Sequence, residues 1–218
     1  MPAMCRVGYH SGMEQRLSVK EQLARVREDA IVSAVNRLLA RKGFEAMTVD
    51  DVAAEAGMAK GSLYKRFESK EALAAAAMTR VLEQALSRME QQAARQGVAA
   101  VDQLRDVARW SMQALLAGEM PILPAQNSTL RSSLLADKTY LNRLNDVSEK
   151  LGEWIIEAQG RGDLDQRTPP EVVLWALLAT ACDPVVAVMK TTGQYNDEDI
   201  VEMRISTLFG GLSGAASR

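Results

Sequence analysis

Seven consecutive residues, Lys60-Gly61-Ser62-Leu63-Tyr64-Lys65-Arg66, place three cations, a hydroxyl and a phenol within about two helical turns. Side chains of these types bond to phosphate oxygens and to base edges. Gly61 keeps one side of the run slim, so a partner can approach closely. Thr48 stands where a helix is expected to begin, and free backbone N–H groups at such a point suit an anion. Lys70 opens the next predicted helix and can hold another phosphate. Little other chemistry competes. His10 is the single histidine, and the two cysteines, Cys5 and Cys182, are far apart without a CxxC pair. A disulfide framework, a zinc ribbon and a His-based triad are not indicated. Neither a glycine-rich phosphate loop nor a nucleophile–base spacing is visible. The expectation is a non-enzyme without metal or cofactor.

The elements that must hold this run are short helices. Ser18-Val-Lys-Glu21 reads as a capping box. The helix behind it is expected to reach about Ala40, with Leu23, Val26, Ala30, Ile31, Ala34, Val35, Leu38 and Leu39 on one face. Gly43 ends it, and Phe44 is free to pack back. Thr48 caps a helix barely two turns long that stops at Gly57, with Val49, Val52, Ala53 and Ala56 inward. A second short helix is expected from Lys60 to about Phe67, and Ser69 caps a longer one from Glu71 to about Gln92. Helices this short fold only by burying their apolar residues against a neighbour. Three of them with a tight glycine turn describe a helix-turn-helix, whose second short helix enters the major groove.

The remainder also reads as helix: Val101 to about Leu116, a short piece at Leu130–Leu135, Lys138 to about Gln159, an apolar helix from Glu171 to about Lys190 that Pro184 interrupts or kinks, and Asp197–Phe209. Pro121 and Pro124 mark a loop at 118–126 that can form the mouth of a pocket. The expected organisation is a flexible arm (1–17), a helix-turn-helix DNA-binding head (18–70), a helical body (71–211) and a tail (212–218). The helix from Glu71 joins the two and is the candidate hinge.

Composition agrees with an all-α chain of two modest domains. Of 218 residues, 47% are hydrophobic and 25% charged, which supports a real core and excludes a disordered chain. The net charge is −2, divided as +2 over residues 1–72 and −4 over the rest. A protein that touches DNA at one patch need not be basic overall. No signal peptide or membrane-length apolar run is visible, so the expected location is the cytoplasm.

The ordered pattern from Ile31 to Leu73, including Gly43-Phe44, Thr48-Val-Asp-Asp-Val-Ala-Ala-Glu-Ala-Gly57 and Lys60-Gly-Ser-Leu-Tyr-Lys-Arg-Phe67, resembles the DNA-binding domain of the TetR/AcrR family. The likeness covers about residues 25–75, roughly a quarter of the chain. It implies an all-helical homodimer whose C-terminal domain holds an effector pocket and the dimer interface, usually a four-helix bundle from the last two long helices of each subunit. By the same resemblance Thr48 is the phosphate-contacting cap of the second helix. Lys60, Gly61 and Ser62 open the recognition helix, Tyr64 and Lys70 contact phosphate, and Phe67 is core. Lys65, from its own position, reaches a flanking phosphate. Two residues depart from the pattern. Ala59 stands where the family often has Ser, forgoing a cap typically worth about 1 kcal/mol. Leu39 replaces a usual Phe.

In the body, Trp110, Met112, Met120, Leu123, Trp154 and Trp175 are candidates to line an apolar effector pocket, since aromatics and methionines suit adaptable cavities. Ordinary packing is the competing reading for each. No charged cluster accompanies them, so the expected effector is small and moderately hydrophobic. Val172, Val173, Ala176, Ala179, Thr180, Val201, Ile205 and Leu208 are expected at the dimer interface, because a helix as apolar as 171–190 needs cover on several sides. The function expected is a ligand-responsive repressor binding a palindromic operator as a homodimer. An activator or ligand-independent DNA binder of the same fold, and a dimeric helical protein without DNA binding, are the alternatives.

Overall fold

The computed structural model describes residues 18–95, 97–121 and 128–213. The expected arm, most of the proline loop with Leu123, and residues 214–218 of the tail lie outside them. Ten α-helices account for the described chain, and beyond one bridge pair, Leu164 with Ser213, it contains no strand.

Helix α1 (Val19–Ala46) starts at the expected capping box: the Ser18 hydroxyl accepts from Glu21 N at 3.3 Å, and the Glu21 carboxylate accepts from Ser18 N at 2.7 Å. At Gly43 the backbone leaves the helical path (φ 71°, ψ 173°), which lets Phe44 fold back into the interior. The inward face begins later than expected. Ile31, Val35, Leu38 and Leu39 are buried, but Leu23 and Val26 stand 49% and 64% exposed, because among the described residues no helix covers the first turns of α1. Polar ties hold that end instead. Arg66 Nη1 donates to Ala24 O and to Glu28, both at 3.1 Å, and Arg80 pairs with Asp29.

α2 (Val49–Ala56) and α3 (Lys60–Tyr64) follow. α3 is one turn shorter than expected, ending where Arg66 N and Phe67 N both bond to Leu63 O. α4 (Lys70–Ala93) is capped by Ser69, whose hydroxyl accepts from Ala72 N at 3.0 Å. Its N-terminal half, through Leu73, Ala74, Ala77 and Met78, shares one apolar cluster with α1, α2 and α3. Its C-terminal half, through Ala85 and Met89, belongs to a second cluster with the later helices.

That second cluster is built by α5 (Ala100–Leu116), α7 (Lys138–Arg161), α8 (Pro170–Ala179), α9 (Pro184–Thr192) and α10 (Asp197–Leu212). α5 packs against α4, α7, α9 and α10. α6 (Thr129–Ala136) joins the first cluster, because its Leu130 and Leu134 are buried there. A return bond, Asp165 N to Leu212 O at 2.9 Å, pins the turn after α7 to the end of α10.

The apolar stretch over 171–190 is interrupted before Pro184: it is two helices joined by a 3-10 turn, Thr180–Cys182, with a bend of 42°. Pro184 has no N–H to continue a helix, and Asp183 restarts one by accepting from Val185 N at 2.9 Å. Among the described residues no single helix is long and apolar enough to cross a membrane; α8 and α9 meet those two criteria only jointly, across their bend.

Candidate nucleic-acid interface

Two helices and one turn set the position of the Lys60 run. Thr48 caps α2 through a reciprocal arrangement: its hydroxyl accepts from Asp51 N at 3.1 Å, while its own N–H and hydroxyl donate to Asp51 Oδ2 at 2.8 and 2.7 Å. Lys42 Nζ lies 2.9 Å from the same oxygen. These bonds, the Lys42 bond first, hold the Asp51 carboxyl down to about 2. Arg37 and Arg41 fasten α2 to α1 from the other end, reaching Glu55 at 2.9 and 3.1 Å. Gly57 then turns the chain in the left-handed region (φ 63°) that favours glycine, and Met58 N bonds back to Ala53 O at 2.9 Å.

On α3 one residue anchors and the others face out. Leu63 is fully buried, a contribution of about 1.5–3 kcal/mol. Lys60, Gly61, Ser62, Tyr64 and Lys65 are exposed, Tyr64 at 51%. Ala59 supplies no side-chain cap, as its type dictates. Lys60 Nζ sits 2.9 Å from Asp50, which holds its ammonium above the ordinary range. Both groups are about half or more in solvent, so the pair is weak and exchangeable for a phosphate.

Gly61 carries a separate message. Its φ is not positive, and a Cβ built there meets nothing within 4 Å. Among the described residues nothing requires glycine at this helical position, where it costs up to about 1 kcal/mol against alanine. The slim surface is useful only to something that approaches from outside.

Lys70 is not a free cation. Its ammonium lies 4.2 Å from the centre of the Phe44 ring and donates to Glu45 O at 3.3 Å, at the end of α1. Thr48 is exposed and Lys70 half-buried. Arg66, which sequence leaves open between partner contact and ion pairing, is engaged with α1 as described above.

The other expected sites fare unevenly. Met112 is buried and lines a cavity, and Trp154 is packed in the body core. Met120 is buried. Trp110 is half-buried with Arg88 5.8 Å over its ring. Trp175 is 68% exposed on the outside of α8, so it lines no interior space within one chain. Of the residues expected between subunits, Val172 and Ala179 are exposed and Ala176 and Leu208 half-buried. Val173, Thr180, Val201 and Ile205 are a correction. They are buried within the chain, because α8 packs on α7, α10 packs on α5, and Thr180 bonds to Ser111 at 2.8 Å. Val185 and Val188 on α9, 45% and 61% exposed, add two outward apolar residues beyond the break to Val172 and Trp175 on α8. The Asp183-Pro184 pair, a cap followed by a first-turn proline, was the signal for the break.

Among the described residues no group of His, Cys, Asp and Glu is arranged to hold a metal.

A family model described as bacterial regulatory proteins, tetR family, matches residues 31–77, the segment that builds α2, α3 and their supports. The uncharacterized HTH-type transcriptional regulator YerO of Bacillus subtilis (strain 168) is 36% identical over 64 residues, 29% of this chain; the match spans 22% of that relative. The fold extends further. The transcriptional regulator FadR from Bacillus subtilis, solved in complex with stearoyl-CoA, superposes with a TM-score of 0.63 over 84% of this chain and 98% of its own, at 20% identity. AibR, solved in complex with isovaleryl coenzyme A and operator DNA, superposes with a TM-score of 0.54 over 84% and 98%, at 22% identity. At such identities these two likenesses are of fold alone. Residues 31–77 thus match the tetR family of bacterial regulatory proteins in sequence, and the helical body matches solved transcriptional regulators in fold.

Proposed function

We propose that this regulator represses transcription by binding a palindromic operator as a homodimer and is released by a small, moderately hydrophobic effector. Residues 18–70 act as the DNA-binding head and 71–211 as the effector-binding and dimerisation body. The observation that carries the reading is the outward run Lys60–Lys65 around a buried Leu63. A short helix so anchored lies with one side in the head and its polar side free for the major groove. In this reading Thr48, Tyr64 and Lys65 hold phosphates, Lys60 exchanges Asp50 for the duplex, and Gly61 and Ser62 meet base edges. Lys70 adds charge at the margin from its seat on Phe44.

The outward apolar face of Val172, Trp175, Val185 and Val188 supports pairing through α8 and α9. Two such heads meet one duplex about one turn, or a multiple of it, apart. The acyl-CoA complexes of FadR and AibR, and the operator DNA bound by AibR, favour an acyl-type effector for a chain of this fold.

The test is operator selection from random duplexes with the full-length protein, followed by gel-shift titration and a promoter reporter. Tyr64→Ala and Lys65→Ala are expected to weaken binding without changing the helical spectrum, and Lys65→Ala to reduce the slope against log salt by about 1. Unchanged affinity in both variants removes the assignment. Reporter output that rises with the protein present makes it an activator instead.

A further inference from the structure

We propose that the cleft between the end of α4 and the middle of α5 is a binding site for a phosphoryl group accompanied by a hydroxyl donor. The site is separate from the Lys60 run and from any apolar effector pocket, and it stands whether or not the chain binds DNA.

α4 and α5 pack on each other. Arg88, Gln91, Gln92 and Arg95 recur at steps of three and four, so they share one face at and just past the end of α4. Asp106, Arg109 and Gln113 share a face of α5 in the same way. Between the two faces lies a cleft of about 220 Å³, smaller than the sites of drug-sized ligands. No apolar residue lines it, so an acyl chain finds no wall there.

The free charges decide what it takes. Arg109 is committed: Nε and Nη2 donate to the Glu202 carboxylate at 2.9 and 3.2 Å, and Nη1 donates to Asp106 Oδ1 at 3.3 Å. Arg88 and Arg95 are exposed, and among the described residues neither meets a carboxylate. Arg88 is seated 5.8 Å over the Trp110 ring, a contact that leaves its N–H donors open. Two uncompensated guanidinium groups, about two turns apart, thus flank the cleft. Their forked donors suit an oxyanion.

Gln92 narrows the choice of oxyanion. It is 7% exposed, the most deeply buried residue of the lining. Its Nε2 donates to Asp106 Oδ2 at 3.4 Å, which fixes the amide, since a flipped amide sets oxygen against oxygen. Its Oε1 is then buried without a donor. A buried acceptor left open is destabilising until something supplies it. The neighbouring amide cannot: Gln91 Nε2 is turned to Ser87 Oγ at 3.4 Å. The rim of the cleft therefore calls for an anion and its floor for a donor. Sulfate or a carboxylate satisfies the rim alone. A phosphate that keeps a proton, or a phosphate ester with an alcohol beside it, satisfies both.

The space beyond sets the direction of such an ester. A second cleft of about 380 Å³ shares Arg109 and Gln113 with the first, and Asp197, Glu198 and Glu202 of α10 line its other side. Carboxylates repel a second anion and accept from hydroxyls. The organic part thus runs towards α10 and carries hydroxyls rather than further negative charge.

The test is calorimetry on the full-length protein, without DNA, using glycerol 3-phosphate, inorganic phosphate, sulfate and glycerol. Glycerol 3-phosphate is expected to bind saturably, one molecule per chain, and sulfate at least about tenfold more weakly, since it brings no donor. Glycerol brings no anion and should not bind. Glycerol 3-phosphate tighter than phosphate assigns the site to an ester; phosphate as tight or tighter, with sulfate still weak, assigns it to the free ion. Either order supports the proposal. Arg88→Gln combined with Arg95→Gln should lower affinity about tenfold or more with the helical spectrum unchanged, whereas Arg131→Gln, on the exposed side of α6, should bind like the parent. Gln92→Met keeps the volume and removes the acceptor, so the margin of phosphate over sulfate should shrink to about twofold or less. Should that variant fail to fold, the margin in the parent decides alone. No binding by either phosphate, sulfate as tight as phosphate, a double variant that binds like the parent, or an equal loss in Arg131→Gln would each overturn the site.

Discussion

Ser128, at the start of α6, donates its hydroxyl to Glu45, near the end of α1, at 2.7 Å. One step on, Thr129 donates to Glu71 at 2.9 Å. The first bond crosses from the later helices onto the head and the second reaches the first turn of α4, while Leu130 and Leu134 enter the apolar cluster that α1, α2 and α3 share with the start of α4. α6 is therefore a bolt between the two parts rather than a linker lying beside them. Ser128 is buried and also accepts from Leu130 N at 3.3 Å, so Ser128→Ala removes a cap and a crossing bond together. The expected loss is about 1–2 kcal/mol in urea unfolding. Glu45→Ala alone should cost less, since it removes the crossing bond but keeps the Ser128 cap on Leu130 N. A double-mutant cycle in which the two losses simply add would show that the bond carries no coupling.

Gly61 separates stability from recognition. Because a Cβ there has open space and φ is ordinary, Gly61→Ala should leave stability unchanged or raise it by up to about 1 kcal/mol. The same methyl stands on the side offered to the duplex, so operator affinity should fall. Thermal unfolding and gel shift on one preparation read both effects. A variant that is more stable and binds as tightly would mean that the duplex does not approach this side of α3.

Acid should loosen the head through Asp51. Its carboxyl titrates at about 2 in the folded chain, below the ordinary value near 4 of an unfolded aspartate. The stability it lends is thus fully present above pH 4 and is lost as pH falls towards 2. Asp51→Asn should flatten the acid limb of a stability–pH curve in that window and leave the neutral region lowered. An acid limb identical to the parent's would assign the loss to other carboxylates, such as Glu55 between Arg37 and Arg41.

The sequence was most legible where a single local rule decides the outcome. Ser18, Thr48 and Ser69 all cap the helices they open, and Gly57 makes the left-handed turn, because caps and positive φ depend on a few neighbouring atoms. Periodicity gave the inward residues of α2 and α3 for the same reason. It could not say which neighbour covers an apolar face. Leu23 and Val26 continue the stripe of α1 yet meet no partner, while Val201 and Ile205 have the same character and are covered by α5 within the chain. Residue type misled at Trp175, whose size suggests a lining residue and whose place is the outside of α8. Arg204 and Asp183, 21 positions apart, meet only through the packing of α10 on the bend, and nothing local announces them.

Pairing through α8 and α9 can be separated from burial within one chain by comparing two charge insertions. Trp175 is 68% exposed in the single chain and Val188 61%, so neither contributes to the fold of one subunit to any large extent. Trp175→Glu or Val188→Glu should therefore keep the helical spectrum while shifting the sedimentation mass from dimer to monomer. An uncompensated carboxylate in the core of an interface disfavours assembly without a matching cost in the free subunit. Operator affinity should fall with it, since one head alone makes half the contacts. Ile205→Glu is the contrasting case: Ile205 is 6% exposed within the chain, and a buried charge there should unfold the body outright. If Trp175→Glu and Val188→Glu both stay dimeric, the subunits pair through another face, and the outward apolar stripe of α8 and α9 needs a different occupant.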